Sequence, residues 1–170
     1  MSLFSKLFGG QLLFILLIAA QGGDPAARVK EQAQKMASAL AAGDYKTFAH
    51  YNNPAILKQA NGEDKFVEIM KSQMEQFKAK GITIGKIVVG NPSKMLPAGK
   101  ELQCTIPQES EVSFGGQTIV TKSALIAIST DGGKNWTFLD TVNKEVSAVR
   151  AFLPNLNPAI TWPPSQQIRK

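Results

Sequence analysis

The sequence predicts an α+β protein in which helices come first and an antiparallel sheet follows. Apolar residues recur at helical spacing from residue 25 to about residue 80, and a two-residue alternation then begins at Ile82. Helices followed by a run of strands are typical of α+β domains, not of alternating βαβ units. We therefore expect three N-terminal helices packed against an antiparallel sheet of four to six strands.

The first twenty residues have the composition of an export signal. Lys6 is followed by an apolar core from Leu12 to Ala20. Nine apolar residues suit the core of a signal peptide, whereas a membrane span takes about twenty. We expect a signal peptide over residues 1–20, cleaved shortly after Ala20, and an exported periplasmic or extracellular product that is not membrane-bound. The alternatives are an uncleaved N-terminal anchor and a buried core helix.

Composition argues against several function classes. The formal charge is +6, but the basic residues are scattered and form no patch with interleaved aromatics, so we expect a solvated surface and no nucleic acid partner. The chain has one cysteine, Cys104, and one histidine, His50, which excludes an internal disulfide and a histidine-rich metal site. We expect Cys104 to be a buried, inert thiol, and we assign no metal ligand, cofactor or catalytic residue.

Three helices are expected before residue 82. Asp24 and Pro25 supply a capping side chain and a proline at the first helical position. The third helix has an apolar stripe at Phe66, Met70 and Met74. Ile56 indicates one further helical turn. The three helices run from Pro25 to a stop at Gly43, from Tyr45 to about Tyr51, and from about Glu63 to Lys80.

Four strands are expected after the helices. Gly115 and Gly116 predict a hairpin turn between two long strands. Pro107 interrupts the second strand, which predicts an edge, a bulge or a split into two strands. The four strands cover residues 82–89, 101–114, 117–130 and 136–142.

The last 28 residues differ in pattern from the predicted domain at 24–142. Residues 143–170 begin with an amphipathic turn or two and continue into a proline-rich tail without regular periodicity. We expect a strap or extended tail, with Trp162 docked on the body.

Short motifs resemble the NTF2-like superfamily. The segment 39–48, Ala-Leu-Ala-Ala-Gly-Asp-Tyr-Lys-Thr-Phe, resembles the turn between the first two helices of those domains. The segment 135–140, Asn-Trp-Thr-Phe-Leu-Asp, also resembles the superfamily, and the ending 152–156 is similar to tails of uncharacterised secreted bacterial members. The resemblance covers about residues 25–142.

The resemblance implies a cone, in which a strongly curved sheet wraps the first helix around an apolar cavity. Superfamily enzymes place Asp, His or Tyr in that cavity, and Asp44, Tyr45, His50 and Tyr51 match such residues by type only. The candidate cavity lining consists of Met36, Leu40, Tyr45, Phe48, Tyr51, Phe66, Met70, Ile126 and Phe138.

The segment from Ser129 to Trp136 resembles the Asp-box, with Asp131 and two glycines in the turn. The box occurs once and no repeat of blade length accompanies it, which excludes a propeller. We interpret it as a well-made β-hairpin with Trp136 in the core; a carbohydrate-contact hairpin is the alternative.

The favoured function is an exported, non-enzymatic domain that binds a small apolar ligand or a protein partner. The first alternative is an enzyme of isomerase, dehydratase or hydrolase type that uses acid and base residues in the cavity. The second is an interaction module that forms a homodimer through the outer face of its sheet. The enzyme requires a carboxylate or the lone imidazole to point into the cavity, and it fails if all polar candidates face solvent.

Overall fold

The computed structural model describes residues 24–170, and the predicted signal peptide lies outside them. The described chain has five helices and one open, six-stranded antiparallel sheet, which confirms the α+β class. None of the described helices is long and apolar enough to cross a membrane. The helices are α1 (Pro25–Ala42), α2 (Tyr45–His50), α3 (Pro54–Gln59), α4 (Glu63–Ala79) and α5 (Val146–Phe152); the strands are β1 (Thr83–Val89), β2 (Leu96–Ala98), β3 (Glu101–Phe114), β4 (Gln117–Ser129), β5 (Thr137–Asp140) and β6 (Gln166–Arg169).

Four helices precede the first strand, where the sequence predicted three. The additional helix is α3, where the sequence predicted only a single helical turn at Ile56. Its start is stabilised because the Asn53 side chain accepts from the backbone N–H of Ala55 at 3.0 Å and Pro54 occupies the first helical position. The predicted start of α1 is confirmed, since the Asp24 carboxylate accepts from the backbone N–H of Ala26 at 2.9 Å.

The sheet is built on the hairpin of β3 and β4, which pair without interruption from Leu102–Ser129 to Phe114–Gln117. The other side of β3 pairs with β1 and β2, and the other side of β4 pairs with β5 and β6. The short strands β2 and β6 were not predicted. Pro107 does not divide β3. Strand β1 ends beside it, where Gly90 N donates to the Pro107 carbonyl, so no strand residue at this position needs an N–H from Pro107.

Two buried clusters lie on opposite faces of this sheet. The inner face packs on α1, with Ile106, Leu125 and Phe138 among the buried residues. The outer face carries Ile126 and Leu139. Successive residues of a strand point to opposite faces, so β4 contributes alternately to both clusters.

The outer cluster is covered by the C-terminal strap, which we define as residues 143–165. Val149 of α5, together with Leu153, Leu156 and Ile160, packs over the outer face. The guanidinium of Arg150 donates to four backbone carbonyls of the strap, those of Leu156, Asn157, Pro158 and Ile160. The strap therefore buries Ile126, Ile128 and Leu139 of the face considered for homodimer formation, whereas Val88 and Ile168 of that face remain exposed.

The turn from Ser129 to Trp136, which resembles the Asp-box, joins the sheet to α1. Hydrogen bonds from the backbone and side chain of Asn135 lower the pKa of the Asp131 carboxyl to about 2. Trp136 is buried, its indole N–H donates to the carbonyl of Gly133, and its backbone N–H donates to the side chain of Gln32 on α1 at 2.8 Å. The indole ring is thus part of the core, in agreement with the hairpin interpretation.

Adjacent glycines of this turn provide a matched test of its contact with α1. Both have positive φ, 74° at Gly132 and 86° at Gly133, but a Cβ at Gly133 meets the Cβ of Pro25 at 2.9 Å, and a Cβ at Gly132 meets nothing within 4 Å. We expect Gly132→Ala to cost about 1–2 kcal/mol of unfolding free energy, and Gly133→Ala to cost about 1–3 kcal/mol more. Urea unfolding of the two variants measures the difference, and equal costs would show that the turn does not constrain the start of α1.

Candidate functional site

A cavity of about 140 Å³ lies between the first two helices and the inner face of the sheet. Helices α1 and α2 supply one wall, and β1, β3 and β5 supply the other. The lining residues are Met36, Ala37, Leu40, Phe48, Asn52, Ile84, Ile87, Gln108, Ser110, Val112, Phe138 and Asp140.

Backbone register places the sheet residues in this lining. Gln108, Ser110 and Val112 are alternate residues of β3 and therefore share its inner face. Ile84 and Ile87 are three residues apart, yet pair with Val112 and Ser110, because the register of β1 shifts between them. Such a bulge adds one residue to a strand, so both isoleucine side chains reach the same cavity.

The segment after α2 fixes the helices to the end of the sheet. The backbone N–H of Phe138 donates to the carbonyl of Tyr51 at 2.8 Å, and the N–H of Asn53 donates to the carbonyl of Phe138 at 2.9 Å. These bonds form a parallel bridge between Asn52 and Phe138. The bridge holds Asn52 beside β5, where its side chain joins the cavity wall.

One end of the cavity is polar and is centred on Asp140. The Gln108 amide donates to Asp140 Oδ2 at 2.7 Å and to Ser123 Oγ at 3.1 Å. Asp140 Oδ1 accepts from the backbone N–H of Val142 at 2.8 Å and from Ser123 Oγ at 3.4 Å. Burial raises the pKa of the Asp140 carboxyl, and the Val142 N–H, Lys144 and the Gln108 and Ser123 side chains oppose this rise.

Four of the nine sequence-predicted residues, Met36, Leu40, Phe48 and Phe138, line this cavity. Phe66 and Tyr51 pack against lining residues. The Phe66 ring centroid lies 6.0 Å from that of Phe48, and the Tyr51 ring centroid lies 6.4 Å from that of Phe138.

The remaining predicted lining residues lie elsewhere. Ile126 belongs to the outer cluster under the strap, because it lies one residue from the inward-facing Leu125 and Ala127. Tyr45 and Met70 are half-buried on α2 and α4 and do not line the cavity.

Asp44 and His50, which match catalytic residues of the superfamily by type only, make local structural contacts. The Asp44 carboxylate accepts from the Thr47 N–H at the start of α2, and exposed His50 lies edge-on to Tyr51 with ring centroids 5.4 Å apart. The sequence interpretation did not include Asp140, Gln108, Ser110 or Asn52. Asp140 could have been found, since it lies two residues after Phe138 on the same strand and therefore shares its face.

A second cavity, of about 360 Å³, lies between α3, the β3–β4 sheet and the strap. Its buried side chain Gln103 donates to Glu101 and to the Asn155 carbonyl, and accepts from Asn157 N. Those bonds hold the strap in place. The smaller cavity has the buried carboxylate, and we take it as the candidate site.

Two further observations concern metal and thiol chemistry. Over residues 24–170 no group of three or more His, Cys, Asp or Glu side chains is placed to hold a metal ion. Cys104 is buried, and burial raises the pKa of its thiol to about 12, which leaves it protonated and unreactive as a nucleophile at neutral pH.

No protein-family model, curated protein or solved structure matches the chain. The geometry of the site is therefore the basis on which function is inferred.

The buried carboxylate predicts a pH dependence of stability. Burial raises the pKa of Asp140 in the folded state above the ordinary Asp value of about 4. Between these two pKa values the folded protein binds more protons than the unfolded chain, so its stability falls as pH rises through that range. We expect the stability difference between wild type and Asp140→Asn to shift toward the variant as pH rises above the ordinary Asp value. Urea unfolding at several pH values measures it, with Glu109→Gln on the exposed face as the control; a flat difference would contradict the prediction.

Proposed function

We propose that the protein is an exported, non-enzymatic domain that binds a small, largely apolar ligand in the cavity between α1, α2 and the sheet. The observation that carries the proposal is a mainly apolar cavity whose wall includes a few polar side chains, with the Asp140 group at one end. Ligand sites in proteins commonly have this composition, an apolar wall with a few placed polar groups. The side chains of Met36, Leu40 and Phe138 supply the apolar wall, and the Asp140 group supplies the polar end.

Cavity volume limits the ligand that we propose. The cavity has about 140 Å³, and an engineered protein cavity of about 150 Å³ holds benzene. A body of roughly six carbon atoms with one polar substituent matches this volume. Longer ligands require movement of the half-buried Phe48 or Leu40 at the wall.

The NTF2-like assignment belongs to the same proposal. Helices on the inner face of a sheet, a bulge in β1 and a cavity between the two layers support it, together with the motif at 39–48. The export assignment depends on the composition of residues 1–20.

An acid–base enzyme is the second candidate, and the position of Asp140 favours it. This carboxylate lines the cavity and burial raises its pKa, the direction that makes a carboxylate a stronger general base. Over the described residues neither His50 nor any lysine lines the cavity, so Asp140 is without a second titratable partner there. Turnover of a co-purified small molecule by wild type, and its loss in Asp140→Asn, would establish the enzyme.

A cavity-filling substitution tests the binding proposal. The probes are toluene, benzyl alcohol, benzylamine and benzoate, which share one ring and differ in the head group. We expect at least one of them to shift the methyl NMR signal of Met36, and we expect Ser110→Phe to abolish that shift because the new ring occupies the cavity.

Glu109→Phe is the matched control. It adds the same ring to the neighbouring residue of β3, which faces solvent on the other side of the sheet, and binding should be unchanged. If none of the four probes binds wild type, the binding proposal fails. If the probes bind equally in Ser110→Phe, they bind outside the cavity.

A further inference from the structure

The polar side chains that line the cavity offer more acceptors than donors, since the hydroxyl of Ser110 is the one lining donor, among the described residues, that no hydrogen bond within the chain occupies. Both N–H groups of the Gln108 amide are directed at Asp140 and Ser123, and the amide of Asn52 donates to the Phe48 carbonyl at 2.8 Å. Among residues 24–170 no donor reaches Gln108 Oε1 or Asn52 Oδ1. Because none of the buried side-chain polar atoms described lacks a partner, these two oxygens retain accessible surface.

Asp140 adds a third acceptor to the cavity lining. A carboxylate offers about four lone-pair sites, and the described residues occupy three of them, through Val142, Ser123 and Gln108. The raised pKa shows that these three donors do not fully offset the cost of burying the charge. A further donor from a ligand would therefore stabilise the carboxylate.

The cavity wall carries no compensating cation. None of its lining residues is a lysine or an arginine, and Lys144, which attracts Asp140, lies on the loop after β5 and outside the lining. An anionic ligand would meet a carboxylate and carbonyl oxygens. A cation would meet acceptor oxygens and a negative charge that only Lys144, outside the lining, partly offsets.

We propose that the ligand is a small primary amine, bound as its ammonium ion with the nitrogen at Asp140 and a compact apolar body among Met36, Leu40 and Phe138. This inference rests on the proposed binding function and specifies its ligand class. An ammonium group has three N–H donors and no acceptor, which suits a lining whose acceptors are the Asp140 carboxylate, Gln108 Oε1 beside it and Asn52 Oδ1. A hydroxyl has one donor and satisfies fewer of these oxygens.

The four probes share one ring and differ only in head group, so their affinities for the wild-type protein distinguish the ligand classes. This comparison needs no variant and therefore does not depend on a variant's folding. Benzylamine is an ammonium ion at neutral pH, benzyl alcohol is a neutral donor, toluene has no polar group and benzoate is an anion. Calorimetric titration should give benzylamine the lowest Kd, by about tenfold or more over toluene and benzoate, with benzyl alcohol between them.

Removal of one negative charge tests the role of Asp140. We expect Asp140→Asn to weaken benzylamine binding by about tenfold and to leave toluene binding within about twofold of wild type. Glu109→Gln is the control, since it removes a carboxylate from the outer side of the same sheet, where it pairs with Lys122, and should change neither.

The outcomes distinguish this inference from the function on which it rests. If toluene or benzoate binds wild type as tightly as benzylamine does, the amine inference is overturned and the cavity remains a binding site. If Asp140→Asn binds benzylamine as tightly as wild type, the carboxylate does not select the ligand and the inference is overturned again. If no probe binds, the binding function itself fails.

Discussion

The rest of the structure depends on the burial of β4 on both faces. From Val120 to Ser129 every residue except Lys122 is buried, although antiparallel sheets commonly leave one face to solvent. Leu125 and Ala127 are covered by α1, and Ile126 and Ile128 are covered by the strap. A strand that is apolar on both sides requires two covering layers, and one chain supplies them from its opposite ends. The helices and the strap are thus parts of one core, divided by the sheet.

Much of the fold follows from local signals in the sequence. Caps at Asp24, Asp44 and Asn53, the glycine stop at Gly43 and the change of period at Ile82 define the helices and the first strand. Strands β2 and β6 could not be predicted in this way, because three or four residues carry too little periodicity and their pairing is set by long-range contacts. Pro107 shows the same limit, since its effect depends on where β1 ends.

Part of the cavity lining was predicted from the sequence, and the position of Ile126 shows why a sheet residue was misplaced. Ile126 was assigned to the cavity as though β4 had a single apolar face, whereas residues 124–128 are apolar at every position, a pattern typical of a strand buried on both sides. The alternation of side chains along β5 distinguishes the two faces, because Phe138 and Asp140 face inward and Leu139 faces outward. The bulge that brings Ile84 and Ile87 together has no clear signal in the sequence apart from Gly85, where an added Cβ would lie 3.3 Å from that of Glu111.

Asp140 connects the cavity to the outer layer. It is the last residue of β5, and its carboxylate accepts from Val142, the residue before the strap begins. Asn143 then takes a positive φ of 53° and donates its backbone N–H to Ser165 at the other end of the strap. A ligand cation at Asp140 would lower the cost of burying the carboxylate, the same group that holds the backbone where the chain leaves the sheet. Linkage makes any such effect reciprocal: by the factor that ligand binding changes the attachment of the strap, attachment of the strap changes ligand binding.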